Sequence, residues 1–503
     1  MAARLSLIKK SILVELFGDK GSGYFWEARF LPRWLPLLLG VVLGIASAIL
    51  IVNGAVHFLI PLVLAVPLII LFNRYPFVAI MLWMLLFPYF VREPSVAGRY
   101  IYWMLHRAMI PGTLGIVLLS HWLGIRKREM VQLGRAELAM LLFLILTVVN
   151  IYLFNVTGVN KTLIQFYDRL VVPFCLYWLV RLVAPTRKDL KRFLWIAFFT
   201  VLAQCIIGLL SWFAPHLLLE QWITRKVGAR TVGTLGNPAV YTSTIIFLSL
   251  LLFQYAMYCK SHWMRALILL TFGLAMFCVF FSFSRGSWLG GILAMLGLIF
   301  LYPNITLRLT AIVLAITLIL GQSVLASEIA FSFERLEHED SAEGRIIGDV
   351  ASIKMVQAKP WFGWGYGNYD RYNRQFLDRV GNIAAISHRG TSHNSFLSVA
   401  AELGVPLLLL YMFPTLWWLL LTFKVRRRMP QNGFWSWPLL VMLWLFIVDW
   451  FTAANFMDMM RLNMFGTSMW WIGLGFIANL VYPYLESSDT EAPKWVYQSD
   501  RQI

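Results

Sequence analysis

Four stretches of the sequence place a cationic or imidazole side chain among small polar residues, a combination that suits chemistry on phosphate-linked groups. These side chains belong to Arg230, Arg285, Arg345 and His393. Arginine binds phosphate through a planar fork of donors and stays charged near neutral pH. Histidine titrates near neutral pH and can accept a proton from a reacting hydroxyl. Together these types predict a site where cations stabilise a departing pyrophosphate and a base acts on the acceptor.

Each of the four residues also has a plain structural interpretation. Arg285 could extend from a helix end to the membrane surface, and Arg230 could lie at the interface near Arg225. Arg345 could pair with acidic neighbours, and His393 could cap or pack against a helix. His388, five residues earlier, competes with His393 for the role of base. Function is favoured by the serines beside Arg285, by the Pro/Gly block after Arg345 and by the Asn-Ser-Phe-Leu stretch after His393, and it is also the preferred interpretation of Arg230.

The composition requires that membrane-spanning helices position these residues. The chain has 503 residues, of which 59% are hydrophobic and only 14% charged. A soluble enzyme, a disordered chain and a secreted disulfide scaffold are excluded, since an ordinary soluble domain has about 25% charged residues. A spanning helix needs roughly 20 apolar residues, and runs of that kind predict about 12–14 of them. We therefore predict an all-α, polytopic integral membrane protein.

Hydropathy and charge divide the chain into five parts. Residues 1–34 form a predicted cytoplasmic leader, basic and amphipathic, followed by transmembrane helices over 35–325. Residues 326–393 are the longest break in hydropathy and predict a helical extracytoplasmic loop domain. A single apolar run over 394–423 begins the C-terminal transmembrane part, 394–483, and residues 484–503 form a predicted cytoplasmic tail. Short connectors rich in Lys and Arg place both termini in the cytoplasm.

Other ligands are not expected from the sequence. The net charge of +18 is explained by cytoplasmic anchoring and by cations kept for a site, so no nucleic acid partner is predicted. The four cysteines lie in or beside apolar segments without metal-ligand spacing, which predicts neither a disulfide nor a zinc site. We expect no metal and no cofactor.

The ordered set of motifs resembles the bacterial O-antigen ligase and O-antigen polymerase superfamily. The matching stretches are Arg-x-x-Gly-Thr-x-Gly-Asn-Pro at 230–238, Ser-x-Ser-Arg-Gly at 282–286, and Gly344-Arg345 followed by a Pro-x-x-Gly-x-Gly turn at 360–365. A further match is His393-Asn394, followed nine residues later by Gly404. The resemblance runs from Arg230 to Gly404.

The resemblance implies a metal-independent inverting glycosyltransferase of the helical GT-C type. It would move a glycan from an undecaprenyl pyrophosphate carrier at the outer face of the bacterial cytoplasmic (inner) membrane. His393 and Arg285 would be catalytic. Pyrophosphate or glycan would be bound by Arg230, Arg345, Ser284, Asn237 and Asn394. Its partners would be the lipid-linked donor, a glycan or lipid acceptor, membrane lipids and other envelope polysaccharide assembly proteins.

Three activities are compatible with these motifs. Polymerisation of surface polysaccharide repeat units is favoured, because the ligase pattern prefers a small or polar residue where this chain has Leu407. The first alternative is a ligase that transfers the glycan to a lipid acceptor of the lipid A–core type or to another acceptor. The second is a flippase, although a transporter would place polar residues in broken helices at mid-membrane. Arg107 and Arg181 are expected to extend to lipid headgroups. Asp168 and Arg169 are expected to face the protein interior, with Arg169 reaching toward the outer leaflet.

Overall fold

The structure is a computed structural model of the whole chain. It describes residues 52, 59–91, 95–124, 131–223 apart from 157, 184 and 186, 231–316, 318–319, 340–377, and 392–486 apart from 463. Arg230, the predicted leader 1–34 and most of the predicted tail 484–503 lie outside these residues. The chain divides into two compact units. The first comprises Met1–Arg74 and Ile116–Glu129, and the second comprises Tyr75–Gly115 and Met130–Ile503. Within the described residues, the first unit consists mainly of α1 and the last turns of α3, and every residue discussed below as part of a site belongs to the second.

The described chain is helical throughout and contains no strand. Its main helices are α1 Leu59–Arg74, α2 Phe77–Phe90, α3 Val96–Trp122, α4 Arg135–Phe154, α5 Val159–Val183, α6 Arg187–Phe213, α7 Pro238–Tyr258, α8 His262–Phe280, α9 Arg285–Leu301, α10 Pro303–Ile316, α11 Asp340–Ala358, α12 Ser395–Leu403, α13 Val405–Val425, α14 Trp437–Phe456 and α15 Met464–Val481. In the described part, nine helices are long and apolar enough to cross a membrane. The predicted all-α, polytopic membrane fold is confirmed.

One predicted span is wrong in its boundaries. The apolar run over 394–423 was expected to form one helix, but the structure divides it into α12 and α13 at Gly404. That residue has a φ of 86°, a left-handed conformation that glycine adopts readily and other residues avoid. The hydropathy pattern could not show the break, because apolar residues continue on both sides of it.

Helices α9 and α14 pack along each other at very short range. Three glycines of α9 make this possible: a Cβ at Gly286 would lie 3.0 Å from the Phe456 ring, and Cβ atoms at Gly290 and Gly297 would overlap Asp449 and Leu445. Small residues allow close helix packing in membranes, where burial of apolar surface gives little drive. The packing fixes the first turn of α9, which carries Arg285, beside the last turn of α14.

The segment between α11 and α12 has a small core of its own. Met355, Tyr369 and Ala401 are fully buried together, and Trp364 packs against them. Because Ala401 belongs to α12, the core joins the segment to the helix that follows it. The aromatic residues of this segment include the buried Tyr369 and two exposed ones, Trp361 and Phe362.

Candidate functional site

His393 is held at the start of α12 by the residue that follows it. The Asn394 side-chain oxygen accepts hydrogen bonds from the Phe396 and Leu397 amides at 3.0 and 3.1 Å, which caps the helix N-terminus. Its amide nitrogen donates to the Asn455 side chain at 3.1 Å, at the end of α14. Asn394 thus has a positioning role that the sequence did not reveal, and its predicted contact with substrate stays a prediction.

A buried polar network lies beneath α12 and fixes it to the segment between α14 and α15. The Asp458 carboxylate accepts hydrogen bonds from the Ser398 hydroxyl at 2.7 Å and from Arg461 Nε at 2.8 Å. Arg461 also pairs with Asp370 at 3.0 Å, and its guanidinium lies 4.7 Å from the centre of the Tyr369 ring. The network joins three separate segments of the chain, and its Asp458 carboxylate acts electrostatically on His393.

Arg345 interacts electrostatically with both Arg285 and His393. Burial lowers the pKa of Arg345, and the Arg285 charge lowers it further against the opposing effect of Asp349. Burial likewise lowers the pKa of His393, the charge of Arg345 adds to this, and Asp458 opposes it. The structure therefore brings together three of the four residues predicted from their types. It also gives the histidine a neutral imidazole at physiological pH, the form that accepts a proton.

Asp349 is an acidic residue whose charge acts on Arg345 of this cluster. Burial raises the pKa of Asp349 to about 6, while Arg345 opposes the rise. Its Oδ1 atom is buried and has no hydrogen-bond partner among the described residues. Among the described residues of the cluster, two arginines and one carboxylate thus lie together, a set of charges that suits an anionic ligand.

The first turn of α9 presents backbone amides next to Arg285 that the Ser284 side chain does not cap. Ser284 precedes the helix without capping it, and its hydroxyl instead lies 3.0 Å from the Ser287 hydroxyl. Uncapped amides at a helix N-terminus attract anions through both hydrogen bonding and the helix dipole. Phe283, just before, has a φ of 48°, and among the described residues it is the only non-glycine with positive φ. Strain of this kind is typical of functional turns.

Asn237 lies at the start of α7 and caps it as Asn394 caps α12. Its side-chain oxygen accepts hydrogen bonds from the amides of Ala239 and Val240 at 2.9 and 3.2 Å. One turn later, the Thr242 hydroxyl donates to the Ser287 hydroxyl, which links α7 to the turn that carries Arg285. Three helix N-termini thus approach one region. Arg230 lies outside the described residues, so its role stays a prediction.

The Pro-x-x-Gly-x-Gly turn and Gly404 form one structural unit. The amides of Trp364 and Gly365 donate to the carbonyls of Ala401 and Glu402, both at 2.9 Å, and the Val405 amide donates to the Pro360 carbonyl at 2.8 Å. Gly363 and Gly365 have φ values of 63° and 93°. The turn therefore clasps the C-terminal end of α12 and fixes the orientation of the helix that carries His393.

Sequence reasoning missed several residues that position the site. Asp458 and Arg461 are three residues apart in a largely apolar stretch, the spacing of a local ion pair. Two opposite charges at this spacing in such a stretch were the sequence signal that could have identified them. Asn150 lies inside the apolar run of α4, yet it bonds the Phe362 carbonyl at 2.8 Å and the Tyr366 amide at 2.9 Å. A single polar residue in a spanning helix gave no indication of this distant partner.

Two arginines expected at lipid headgroups are instead paired inside the protein. Arg107 binds Asp168 through two hydrogen bonds, 2.7 and 2.6 Å long. Arg181 is 1% exposed, lies 3.4 Å from Glu137, and contacts the Tyr482 ring at 4.1 Å from its centre. The headgroup interpretation was wrong for Arg181, which is buried beside Glu137 on another helix. Arg107 uses Nε and Nη2 for Asp168 on another helix, and its side chain remains 28% exposed. The expectation that Asp168 faces the interior is confirmed.

One known family model matches part of the chain that carries this site. Residues 267–412 match the family model described as O-antigen ligase. This segment is similar to that family. It contains Ser284, Arg285, Arg345 and His393, whereas Asp458 and Arg461 lie beyond it. The family supports a ligase or polymerase type of function in general, and with the apolar helices it indicates a multi-pass membrane protein. No curated protein matches the chain.

Proposed function

We propose that the chain is an inverting glycosyltransferase that polymerises polysaccharide repeat units carried on undecaprenyl pyrophosphate. The observation that carries the proposal is the grouping of His393 with two arginines, where burial and Arg345 lower the pKa of the histidine. A pyrophosphate leaving group and an acceptor hydroxyl need these functions side by side. The O-antigen ligase family match over the same residues supports this assignment.

In the proposed reaction, neutral His393 accepts the proton of the acceptor hydroxyl as its oxygen attacks the anomeric carbon. The bond between that carbon and the pyrophosphate oxygen breaks, and undecaprenyl pyrophosphate departs from the opposite side, which inverts the anomeric configuration. Arg285, Arg345 and the first turn of α9 stabilise the negative charge that accumulates on the leaving group. No metal ion takes part in these steps. We place the site at the outer face of the cytoplasmic membrane, with both termini inside.

Ligation of the finished glycan to a lipid or other acceptor is the second candidate. The description of the matching family, O-antigen ligase, favours it. The same donor chemistry and the same residues would serve, and only the acceptor would differ. The presence of Leu407 after the His-Asn motif keeps polymerisation as the first proposal.

The test uses purified parent protein with an undecaprenyl-pyrophosphate oligosaccharide, without added metal and with a chelator present. Products separated on a gel should form a ladder of longer lipid-linked chains. His393→Ala and Arg285→Ala should abolish the ladder, whereas Arg374→Gln, which changes an exposed arginine of the same segment, should retain it.

Different results would redirect the assignment. If the folded parent does not lengthen the lipid-linked chain but transfers glycan to an added lipid acceptor, the protein is assigned as a ligase and not as a polymerase. If neither product forms and His393→Ala still moves lipid-linked oligosaccharide across a vesicle membrane, the transferase proposal is wrong and the flippase takes its place.

A further inference from the structure

A second group of charged residues lies within membrane-spanning helices α3 and α5, in a part of the chain that precedes the family match. Each helix contains a π-helical segment there, Trp103–Met109 in α3 and Tyr167–Val171 in α5. Such segments are rare and occur often at functional sites. The first carries Arg107, and the second carries Asp168 and Arg169.

The charges of this group do not balance. Asp168 is the acidic partner of Arg107, which uses Nε and Nη2 for the pair. His106 is neutral, because its Nδ1 accepts a hydrogen bond from the Trp83 indole at 3.2 Å, which leaves Nε2 to donate to the Asp168 carbonyl at 3.0 Å. Two arginines thus face one carboxylate, which leaves one net positive charge. A cation in a spanning helix is costly unless it has a function or a partner.

Arg169 is the residue that carries the excess charge. It is half-buried, and among the described residues no ion pair or hydrogen bond of its side chain is found. The Arg107 side chain is 28% exposed, and its Nη1 atom is not used by Asp168. Both guanidinium groups therefore have donors available for an anion that enters from outside the protein.

Nearby acidic residues are engaged elsewhere. Arg169 acts electrostatically on the hydroxyls of Tyr102 in α3 and of Tyr366, which follows the Pro-x-x-Gly-x-Gly turn, so it lies near both. The Glu402 carboxylate, near Tyr366, accepts a hydrogen bond from the Tyr369 amide at 3.1 Å. The Asp458 carboxylate accepts hydrogen bonds from Arg461 and Ser398. Neither carboxylate bonds Arg169.

We infer that Arg107 and Arg169 form a binding site for the phosphate group of a lipid, in addition to the site at Arg285 and Arg345. Arginine forks suit phosphate oxygens, and the position inside spanning helices suits an amphiphile whose apolar chain stays in the membrane. Its assignment to the second lipid-linked substrate, the acceptor of the polymerisation, rests on the proposed function. The lipid phosphate site itself rests only on the contacts described here.

The test measures binding to the purified full-length protein, with farnesyl pyrophosphate and inorganic pyrophosphate as probes. Native mass spectrometry should count two farnesyl pyrophosphates on the parent protein and one on Arg169→Gln, with at least about tenfold weaker binding at the altered site. Arg169→Gln leaves no described partner unpaired, so it should fold normally. Arg99→Gln changes an exposed arginine of α3 and should still bind two.

Two further variants separate the possible outcomes. Asp168→Asn should tighten binding of the probe, because it removes the competing carboxylate and frees Arg107; weaker binding at an unchanged melting temperature would contradict the site. If Arg169→Gln binds farnesyl pyrophosphate with unchanged stoichiometry and affinity, the proposed site at Arg107 and Arg169 is overturned. If inorganic pyrophosphate binds the parent at this site as tightly as farnesyl pyrophosphate does, the assignment to a lipid is overturned. Retention of two probes by Arg285→Gln/Arg345→Gln would instead count against the proposed function alone.

Discussion

Gly404 lies directly against the Trp361 carbonyl, so close that a Cβ atom on the glycine would overlap the carbonyl oxygen. Its φ and ψ of 86° and 165° fall in a region that is essentially restricted to glycine. The amide of the next residue, Val405, donates to the Pro360 carbonyl at 2.8 Å. The contact closes the turn over the end of α12 and thereby determines how the helix presents His393.

Gly404→Ala should therefore lower both stability and activity. The backbone strain alone costs about 1–3 kcal/mol, and the overlap with Trp361 adds to this. Thermal unfolding in detergent should show a clear fall in the melting temperature. Gly112→Ala is the matched control, since no atom lies within 4 Å of its Cβ position in α3. Equal melting temperatures for the two variants would contradict the proposed contact.

Asn394→Ser should retain most of the transferase activity, whereas Asn394→Ala should lose much of it. Serine and asparagine cap a helix about equally well, while alanine costs about 1 kcal/mol and releases the chain that carries His393. The comparison requires rates and melting temperatures of both variants. If serine raises the KM as much as alanine does, with an unchanged melting temperature, the amide contacts substrate, as the sequence motif predicted.

The sequence predicted the fold class and most of the helical runs, because hydropathy over about 20 residues is a strong signal for spanning helices. It also identified Arg285, Arg345 and His393 as candidates, and the structure brings them together although 108 positions separate the first from the last. Residue type was informative in these cases because a charged or imidazole side chain beside small polar residues is rare in an apolar chain.

The positioning residues could not be predicted in the same way. The partners of Asp458 and Asn150 lie 60 and 212 residues away in the sequence, and a polar residue does not indicate which distant group it binds. Arg107 illustrates the same limit, since a headgroup and the Asp168 carboxylate satisfy its charge equally well until the helices are packed. Long-range pairing depends on tertiary structure and leaves no local pattern.

Arg461→Met should destabilise the protein strongly. Asp458 is fully buried, and removal of its cation leaves an uncompensated carboxylate, which typically costs about 3–5 kcal/mol. The double variant Arg461→Met/Asp458→Asn removes both charges and should recover part of the loss. Denaturant unfolding of the parent, both single variants and the double variant measures the coupling. Additive losses would mean that the pair has no net interaction.

The acid limb of the pH–rate profile should report the pKa of His393. In the proposed reaction the neutral imidazole is the base, so activity should fall as the pH drops through this pKa, which lies below the usual value for histidine. Arg345→Gln removes a positive neighbour, raises the pKa of His393, and should move the acid limb to higher pH. Arg374→Gln, an exposed change in the same segment, should leave the limb in place.

Asp458→Asn should move the same limb in the opposite direction. The Asp458 carboxylate stabilises the imidazolium form, so its loss lowers the pKa of His393 further and extends activity to lower pH. The amide that replaces it can still accept the Ser398 hydrogen bond, which limits the structural change. The profile should be measured at saturating and at low substrate concentration, because kcat and kcat/KM report the bound and free enzyme. If His393 has a purely structural role, the acid limb should stay in place in both Arg345→Gln and Asp458→Asn. Shifts of opposite sign in the two variants would identify His393 as the titrating base.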